Sequence, residues 1–266
     1  MATAAPHEEI PLQLNVTAAT DIGLVREGNE DSYLVDEDLG LFIVADGMGG
    51  HRAGERASSM SVDVVREVLL ERRSELEEQK SSGLEPDENA PAVNVLRDAM
   101  LEANSRVYAA SSEDPQLQGM GTTVTSVLVL GDQAFIGHVG DSRAYLLRQD
   151  QLYQVTMDHS LVAEQVRLGL MTEAQSRVSQ YRNIITRSVG VDAVVEVDLY
   201  YVGLEPGDLL LLCSDGLNGM VTDEQIADVL RGYFADQCPK VLVDLACSHG
   251  GDDNITALCI YVENGE

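Results

Sequence analysis

Residues 122–156 read TTVTSVLVLGDQAFIGHVGDSRAYLLRQDQLYQVT. Four runs rich in β-branched, aliphatic and aromatic residues, 122–130, 134–139, 143–147 and 152–156, lie close together. Gly131-Asp132 and Asp150-Gln151 separate two pairs of them, and short connections of these residue types are hairpin turns. The spacing therefore predicts antiparallel pairing. Upstream, 14–20, 33–36 and 41–45 read as further extended segments, an opening meander. Ala53, Ala57, Met60, Val64 and Val68 then recur at helical spacing with one buried face. After the charges of 71–80, the stretch SSGLEPDENAP at 81–91 is the clearest loop. Val93, Leu96, Met100, Ala103 and Val107 follow as a second amphipathic helix, so two long helices are expected around an acidic connection.

Downstream, a helix over 160–168 ends at Gly169, and Thr172 with Gln175 has the pattern of a capping box. The region from about 158 to 191 is polar and irregular. Strands are expected at 194–202 and 208–213, then a helix capped by Thr222 and Gln225, a helix over 240–248 and a last strand at 255–262. Strands in blocks and helices in pairs favour an α+β fold with mostly antiparallel sheets over a doubly wound parallel sheet. No linker or repeat interrupts 14–262, which reads as one domain between a flexible N-terminal tail, 1–13, and a short C-terminal tail, 263–266.

The chain has 266 residues, with 17 Lys plus Arg against 45 Asp plus Glu and a formal charge of −28. That balance argues against nucleic-acid backbones and anionic membranes as partners. With 44% hydrophobic residues, the charge sits on a folded body rather than on a disordered acidic chain. Apolar runs such as 41–45 and 209–213 are far shorter than the roughly 18–20 residues that span a bilayer. The start, MATAAPHEEIPLQ, has neither the basic flank nor the apolar stretch of a secretory signal, so a cytoplasmic location is expected; the protein is also expected to be a monomer. Cys213, Cys238, Cys247 and Cys259 form no C-x-x-C pair and are expected to be reduced and structural.

Aspartates recur at strand ends: Asp46-Gly47 after LFIVA, Gly140-Asp141 after FIGHV, Asp215-Gly216 after LLLLCS and Asp252-Asp253-Asn254 before ITALCI. One Asp-Gly is an ordinary turn. Carboxylates at several strand ends of one antiparallel core can converge on a single rim, and an oxygen-only donor set suits Mg²⁺ or Mn²⁺. The histidines are too scattered for zinc. GMGG at 47–50 lacks the G-K-[ST] ending of a phosphate loop and reads as a backbone bend.

Read together, RxxNED at 26–31, VADGMGGHRAGE at 44–55, MGTT at 120–123, HVGDSRAY at 138–145, DHS at 158–160, SDGL at 214–217 and GGDDNIT at 250–256 form a series. In order and spacing, from about 14 to 262, it resembles the metal-dependent protein phosphatase family (PPM type, protein phosphatase 2C) in its bacterial form. The resemblance implies a β-sandwich of two antiparallel sheets flanked by helices, in four layers αββα. It implies two tightly bound Mn²⁺ or Mg²⁺ ions, a third and weaker one, and hydrolysis of phosphoserine and phosphothreonine. Asp46 matches the metal-bridging ligand, the Gly47 carbonyl a ligand of the second metal, and Asp215 and Asp253 ligands of the first. Asp141 matches the acidic residue that shares a third metal with Asp215. Asp31 would orient metal-bound waters, and Arg26 matches the phosphate-binding arginine.

Metals are needed because a phosphomonoester dianion is repelled by aspartates until cations reverse the local field. Two cations about 3.5–4 Å apart can present a bridging hydroxide for in-line attack, and Arg26 offers a planar donor fork to phosphate oxygens. A histidine near its ordinary pKa of about 6.5 suits protonation of the leaving alkoxide. His51 is the candidate, with substrate contact as its alternative role. His138, inside a strand, reads as a hydrogen-bonded core residue, and His159 as the anchor of a helix start. The segment from about 158 to 191 matches the family's variable flap, although 176–180 reads SRVSQ where many bacterial members carry a His-Pro pair. Phosphorylated proteins are the implied partners, with a serine/threonine kinase and its substrates on the opposing side. A binding module without activity would be expected to have lost a ligand, and a metabolite phosphatase would differ only in substrate.

Overall fold

The computed structural model of the protein describes residues 12–50, 52–82, 87 and 89–265. The chain runs through β1 (Leu12–Asp21), β2 (Ser32–Asp36), β3 (Leu41–Ala45) and the short β4 (Gly47–Met48), then α1 (Arg52–Glu71), α2 (Arg73–Ser82) and α3 (Pro91–Glu113). Next come β5 (Gly121–Thr122), β6 (Val124–Leu130), β7 (Gln133–Val139), β8 (Arg143–Arg148) and β9 (Gln151–Gln154). Short helices α4 (Leu161–Arg167) and α5 (Glu173–Arg177) lead to β10 (Asp198–Gly203) and β11 (Leu209–Cys213). Last are α6 (Asp215–Asn218), α7 (Asp223–Gly232), α8 (Cys238–Ser248) and β12 (Ile255–Asn264).

Two five-stranded sheets form, in the orders β1-β12-β11-β8-β9 and β10-β7-β6-β3-β2, with β4-β5 as a small third pair. Neighbouring strands run antiparallel throughout. Period-two alternation sorts the side chains. Phe42 and Val44 of β3, Ile136 of β7, Leu210 and Leu212 of β11 and Leu258 and Ile260 of β12 fill the space between the sheets. Leu41, Ile43 and Ala45 turn the other way, toward α1 and α3, while Leu211, Cys213, Ala257 and Cys259 face α7 and α8. Both faces of the central strands are thus covered, which is why LFIVA and LLLLC are continuously apolar. The layers are αββα, as the resemblance implied.

Residues 122–156 contain the two expected hairpins, β6-β7 and β8-β9. The second turns through Gln149 and Asp150, both at positive φ (51° and 64°), the backbone that a tight hairpin of this hand requires. Between the hairpins, however, β7 and β8 do not pair; the chain crosses from one sheet to the other at Gly140-Asp141-Ser142. The opening meander is also corrected: β1 pairs with β12 from Leu12↔Asn264 to Asp21↔Ile255, in the opposite sheet from β2 and β3. The acidic run after α1 is not a connection but helix α2. Its Glu, Gln and Lys are good helix formers, Arg72 pairs with Glu75 and Arg73 with Glu77, and Leu76 is buried against the core that α3 lines. β10 starts at Asp198, four residues later than expected. Both capping boxes, Thr172/Gln175 and Thr222/Gln225, form as expected. All four cysteines are free, and no helix among the described residues is long and apolar enough to cross a membrane.

One ion pair holds the far end of the sandwich. Asp208, with its side chain 2% exposed, accepts from Arg148 Nε at 2.8 Å and Nη2 at 2.5 Å, and from the Glu205 backbone N–H at 2.8 Å. Asp208→Ala leaves the partly buried Arg148 guanidinium with only the Gly203 carbonyl at 2.6 Å and Glu205 at 3.4 Å, so urea unfolding is expected to show a loss of about 2 kcal/mol, with unchanged turnover per folded molecule.

Candidate active site

The aspartates of the four strand ends gather at one rim of the sandwich. Asp46 follows β3, where its N–H donates to Thr123 Oγ1 at 2.9 Å and its carbonyl accepts from Thr123 N at 2.9 Å and Thr122 Oγ1 at 2.8 Å. Thr123 Oγ1 also lies 2.7 Å from Ser142 Oγ, which joins the Asp46 corner to the Asp141 crossing. Asp215 opens α6 directly after β11. A Cβ on Gly216 would sit 2.0 Å from the Asn254 carbonyl, so the Asp215 turn and the Asp253-Asn254 corner lie against each other.

Asn254 ties the 22–30 loop to this corner. Its Nδ2 donates to the Ile22 and Gly28 carbonyls at 2.9 Å each, and its Oδ1 accepts from Glu30 N–H at 2.8 Å. That loop delivers Arg26, Glu30 and Asp31. Asp31 Oδ2 accepts from Ser214 Oγ at 2.8 Å and Thr256 Oγ1 at 2.6 Å. Arg26 Nη2 donates to Asp253 Oδ2 at 2.7 Å, with its side chain 47% exposed. Arg26, Glu30, Asp46, Gly47, Asp215 and Asp253 line a cavity of about 180 Å³. Arg26, Asp215 and Asp253 also border a neighbouring cavity of about 450 Å³, which adds Asp141 and the 157–183 region.

Electrostatics define what this rim can hold. Burial pushes the Asp31 carboxyl up to about 7, with the Thr256 and Ser214 hydroxyls working against the shift and Asp215 and Asp253 adding to it. Asp46 is raised well above the carboxylate range, first by burial and then by Asp31, Asp215, Asp141 and Asp253. Burial likewise raises Asp141 and Asp215. Oδ1 of Asp31 and Oδ1 of Asp141 are buried without a hydrogen-bond partner. Buried carboxylates that repel one another and leave oxygens unpaired must take up protons or cations. An oxygen-only set of this kind fits a hard divalent cation. Among the described residues, no three acidic, His or Cys side chains are placed so that they could hold a metal ion between them.

The structure therefore brings together Arg26, Asp31, Asp46, Gly47, Asp141, Asp215 and Asp253, while His51 lies outside the described residues. His138 is the hydrogen-bonded core residue expected, 3.0 Å from Thr125 Oγ1 and 3.1 Å from the Met157 carbonyl. His159 directly precedes Ser160, the N-cap of α4, which accepts from Ala163 N–H, and its ring is bonded to Gly140 N–H rather than to the helix. Sequence reasoning passed over Glu30, 7% exposed beside Asp46, and Asn254, although each adjoins a residue it chose. Ser214 and Thr256 lie inside the motifs SDGL and GGDDNIT, but a hydroxyl looks alike in sequence whether it caps a helix or holds a carboxylate, so their bonds to Asp31 are visible only in the structure.

The sequence profile of the family described as Protein phosphatase 2C matches residues 26–241. Serine/threonine phosphatase stp of Listeria welshimeri is 37% identical over 245 residues, 91% of this chain and 93% of that protein. Among solved structures, the Mycobacterium tuberculosis serine/threonine phosphatase PstP/Ppp is 35% identical with a TM-score of 0.81, covering 94% of this chain and 99% of its own. The catalytic domain of PstP in complex with 2 manganese ions is 34% identical with a TM-score of 0.78, covering 95% and 99%. With a shared fold, near-complete coverage in both directions and the acidic rim in place, the chain belongs to the protein phosphatase 2C family as a bacterial PPM-type serine/threonine phosphatase.

Proposed function

We propose that the protein removes phosphate from phosphoserine and phosphothreonine of proteins phosphorylated by a serine/threonine kinase, with Mn²⁺ or Mg²⁺ at the acidic rim. When bound, two such cations supply an activated hydroxide for attack on phosphorus and neutralise charge on the phosphate oxygens. The observation that carries this reading is the crowd of buried and half-buried carboxylates at one rim, Asp31, Asp46, Asp141, Asp215 and Asp253, in which Oδ1 of Asp31 and Oδ1 of Asp141 have no hydrogen-bond partner. The two manganese ions of the PstP catalytic domain support it.

With cations bound, Asp46, at the end of β3, would be the carboxylate shared by the two tight sites; the Gly47 carbonyl would serve the second cation, Asp215 and Asp253 the first, and Asp141 with Asp215 a third and weaker one. Asp31, clamped through Oδ2, would offer its unpaired Oδ1 to cation-bound water. Arg26 spends one nitrogen on Asp253 and keeps its remaining donors for the phosphate. His51 delivers the proton to the leaving oxygen. The same reading takes 14–262 as one catalytic domain, 158–191 as its flap, and the protein as a cytoplasmic monomer without nucleic-acid or membrane partners.

Hydrolysis of p-nitrophenyl phosphate and of phosphothreonine peptides is expected to require Mn²⁺ and to stop in EDTA; full activity in chelator would overturn the reading. Turnover of sugar phosphates or nucleotides with phosphopeptides ignored would move the substrate class to metabolites. Arg26→Ala is expected to lower kcat/KM about 10- to 100-fold, the worth of a charged hydrogen bond to phosphate. Asp141→Ala is expected to slow turnover while calorimetry still finds two tight Mn²⁺ sites, and loss of those sites would remove the third-metal role.

A further inference from the structure

His159 has no part in the proposed chemistry, yet its ring is 7% exposed beside the acidic rim. The Gly140 N–H donates to His159 Nδ1 at 3.0 Å, and the His159 N–H donates to the Gly140 carbonyl at 2.8 Å. One residue thus holds both backbone polar groups of Gly140. Gly140 itself sits at φ +117°, where a Cβ would lie 2.5 Å from the Thr123 side chain. The next residue is Asp141, whose buried Oδ1 has no partner.

The tautomer follows from the donors. A ring nitrogen that accepts from an amide carries no proton, so the proton of the neutral ring is on Nε2. Nε2–H then donates to Asp198 Oδ2 at 3.2 Å. Arg187 Nη1, 3.0 Å from the same Nε2, is a second donor and sends its hydrogen to Asp198 Oδ1 at 2.5 Å instead. The Tyr200 hydroxyl also donates to Asp198, at 3.2 Å. Behind the ring, His138 packs against it at 4.8 Å between centroids, with the two planes tilted by 39°. A carboxylate orienting an imidazole is the arrangement that aims metal-binding histidines; here the imidazole grips a peptide.

We propose that His159, oriented by Asp198, is a positioning residue for Asp141: by clamping Gly140 it sets the direction in which the Asp141 carboxylate faces the cation cluster. This rests on the reading of Asp141 as a ligand of the weaker cation. A role confined to starting α4 is unnecessary, because Ser160 already caps that helix.

Two near-isosteres separate the ring's bonds. His159→Asn puts an amide oxygen near the place of Nδ1 and keeps the acceptor for Gly140. His159→Gln puts its amide near Nε2, keeping Asp198 and losing that acceptor. In the metal-free protein, hydrogen exchange of the Gly140 amide by NMR is expected to stay slow in the wild type and His159→Asn and to become fast in His159→Gln. By calorimetry, His159→Gln is expected to weaken the weakest Mn²⁺ step about tenfold or more, with the tight sites unchanged. His159→Asn restores most of that loss, and KM for p-nitrophenyl phosphate stays constant in both. Should His159→Gln fail to fold, Asp198→Asn, which removes the orienting charge, is expected to produce the same change in smaller degree. Wild-type Gly140 exchange and Mn²⁺ binding in His159→Gln, or in Asp198→Asn where that variant replaces it, overturn the proposal even if Asp141→Ala abolishes the weak step. If Asp141→Ala leaves every Mn²⁺ step intact, the reading of Asp141 falls and the proposal with it.

Discussion

Asp46→Asn is expected to lower Mn²⁺-dependent turnover of p-nitrophenyl phosphate by about a thousandfold or more, and at the same time to make the metal-free protein harder to unfold. Metal polarisation contributes several kcal/mol to the barrier, and each 1.36 kcal/mol is about a factor of ten. Asp46 is the ligand on which the proposed pair of cations depends. In the metal-free chain the same carboxylate is a liability, since burial comes first among the causes that raise its pKa and Asp31, Asp215, Asp141 and Asp253 follow. An amide has nearly the same shape and no charge, and the bonds that place the residue, to Thr122 and Thr123, run through its backbone. At about pH 8 the unfolded carboxyl is ionised, and folding must either return a proton to it or crowd its charge against the others; the amide avoids both and is expected to add about 1–2 kcal/mol in EDTA. Urea unfolding in chelator beside kinetics in Mn²⁺ checks both signs. A variant that is less stable without metal, or within tenfold of wild-type turnover, contradicts the assignment.

The second large effect is in the pH dependence of stabilisation by Mn²⁺. The folded Asp31 carboxyl is raised from 3.8 to about 7. Between those values the metal-free folded chain holds a proton that the unfolded chain has released, so the stability it confers is complete below the unfolded value and is lost as pH rises through about 7. About three units correspond to on the order of 4 kcal/mol for this residue. Asp46, Asp141 and Asp215 are raised too and act with the same sign. His138 opposes them: burial, with a smaller contribution from His159, lowers it from 6.5 to about 3, so its contribution to stability rises with pH across that range. His159 is lowered as well, by burial first. These histidine slopes are expected to be common to the metal-free and metal-loaded chains and to cancel in the difference. Stabilisation by saturating Mn²⁺, read as the shift in urea midpoint, is therefore expected to grow from about pH 5 to about pH 8. A constant or shrinking shift would show that the rim does not exchange protons for cations.

Much of the local structure is legible in the residues. Thr172 and Thr222, each three residues before a glutamine, announce capping boxes that form, and the hairpins of 122–156 turn at Gly131-Asp132, as expected, and at Gln149-Asp150, one residue before the Asp150-Gln151 expected. The motif series also leads to the residues of the rim, because each aspartate sits next to its own strand end. The acidic run after α1 is the exception: its charge density reads as a connection, whereas its residue types favour a helix and Leu76 is buried.

What a few consecutive residues control, the chain itself determined: strand and helix identity, turn geometry, caps, and the placement of aspartates at strand ends. Those outcomes depend on φ, ψ and hydrogen bonds that close within a turn or two. Tertiary structure alone decided that β1 joins β12, that the chain changes sheets at Gly140-Asp141-Ser142, and that Asp31 is held by hydroxyls 183 and 225 residues away. It also decided that Arg26 rests on Asp253 and that His159 grips Gly140. Sheet membership is chosen by which pairing covers both faces of every central strand at once, a condition on the whole molecule that no local window contains. The acidic rim is a by-product of that choice. Its carboxylates become neighbours, shift one another's protons and acquire a use for cations only after the two sheets have stacked.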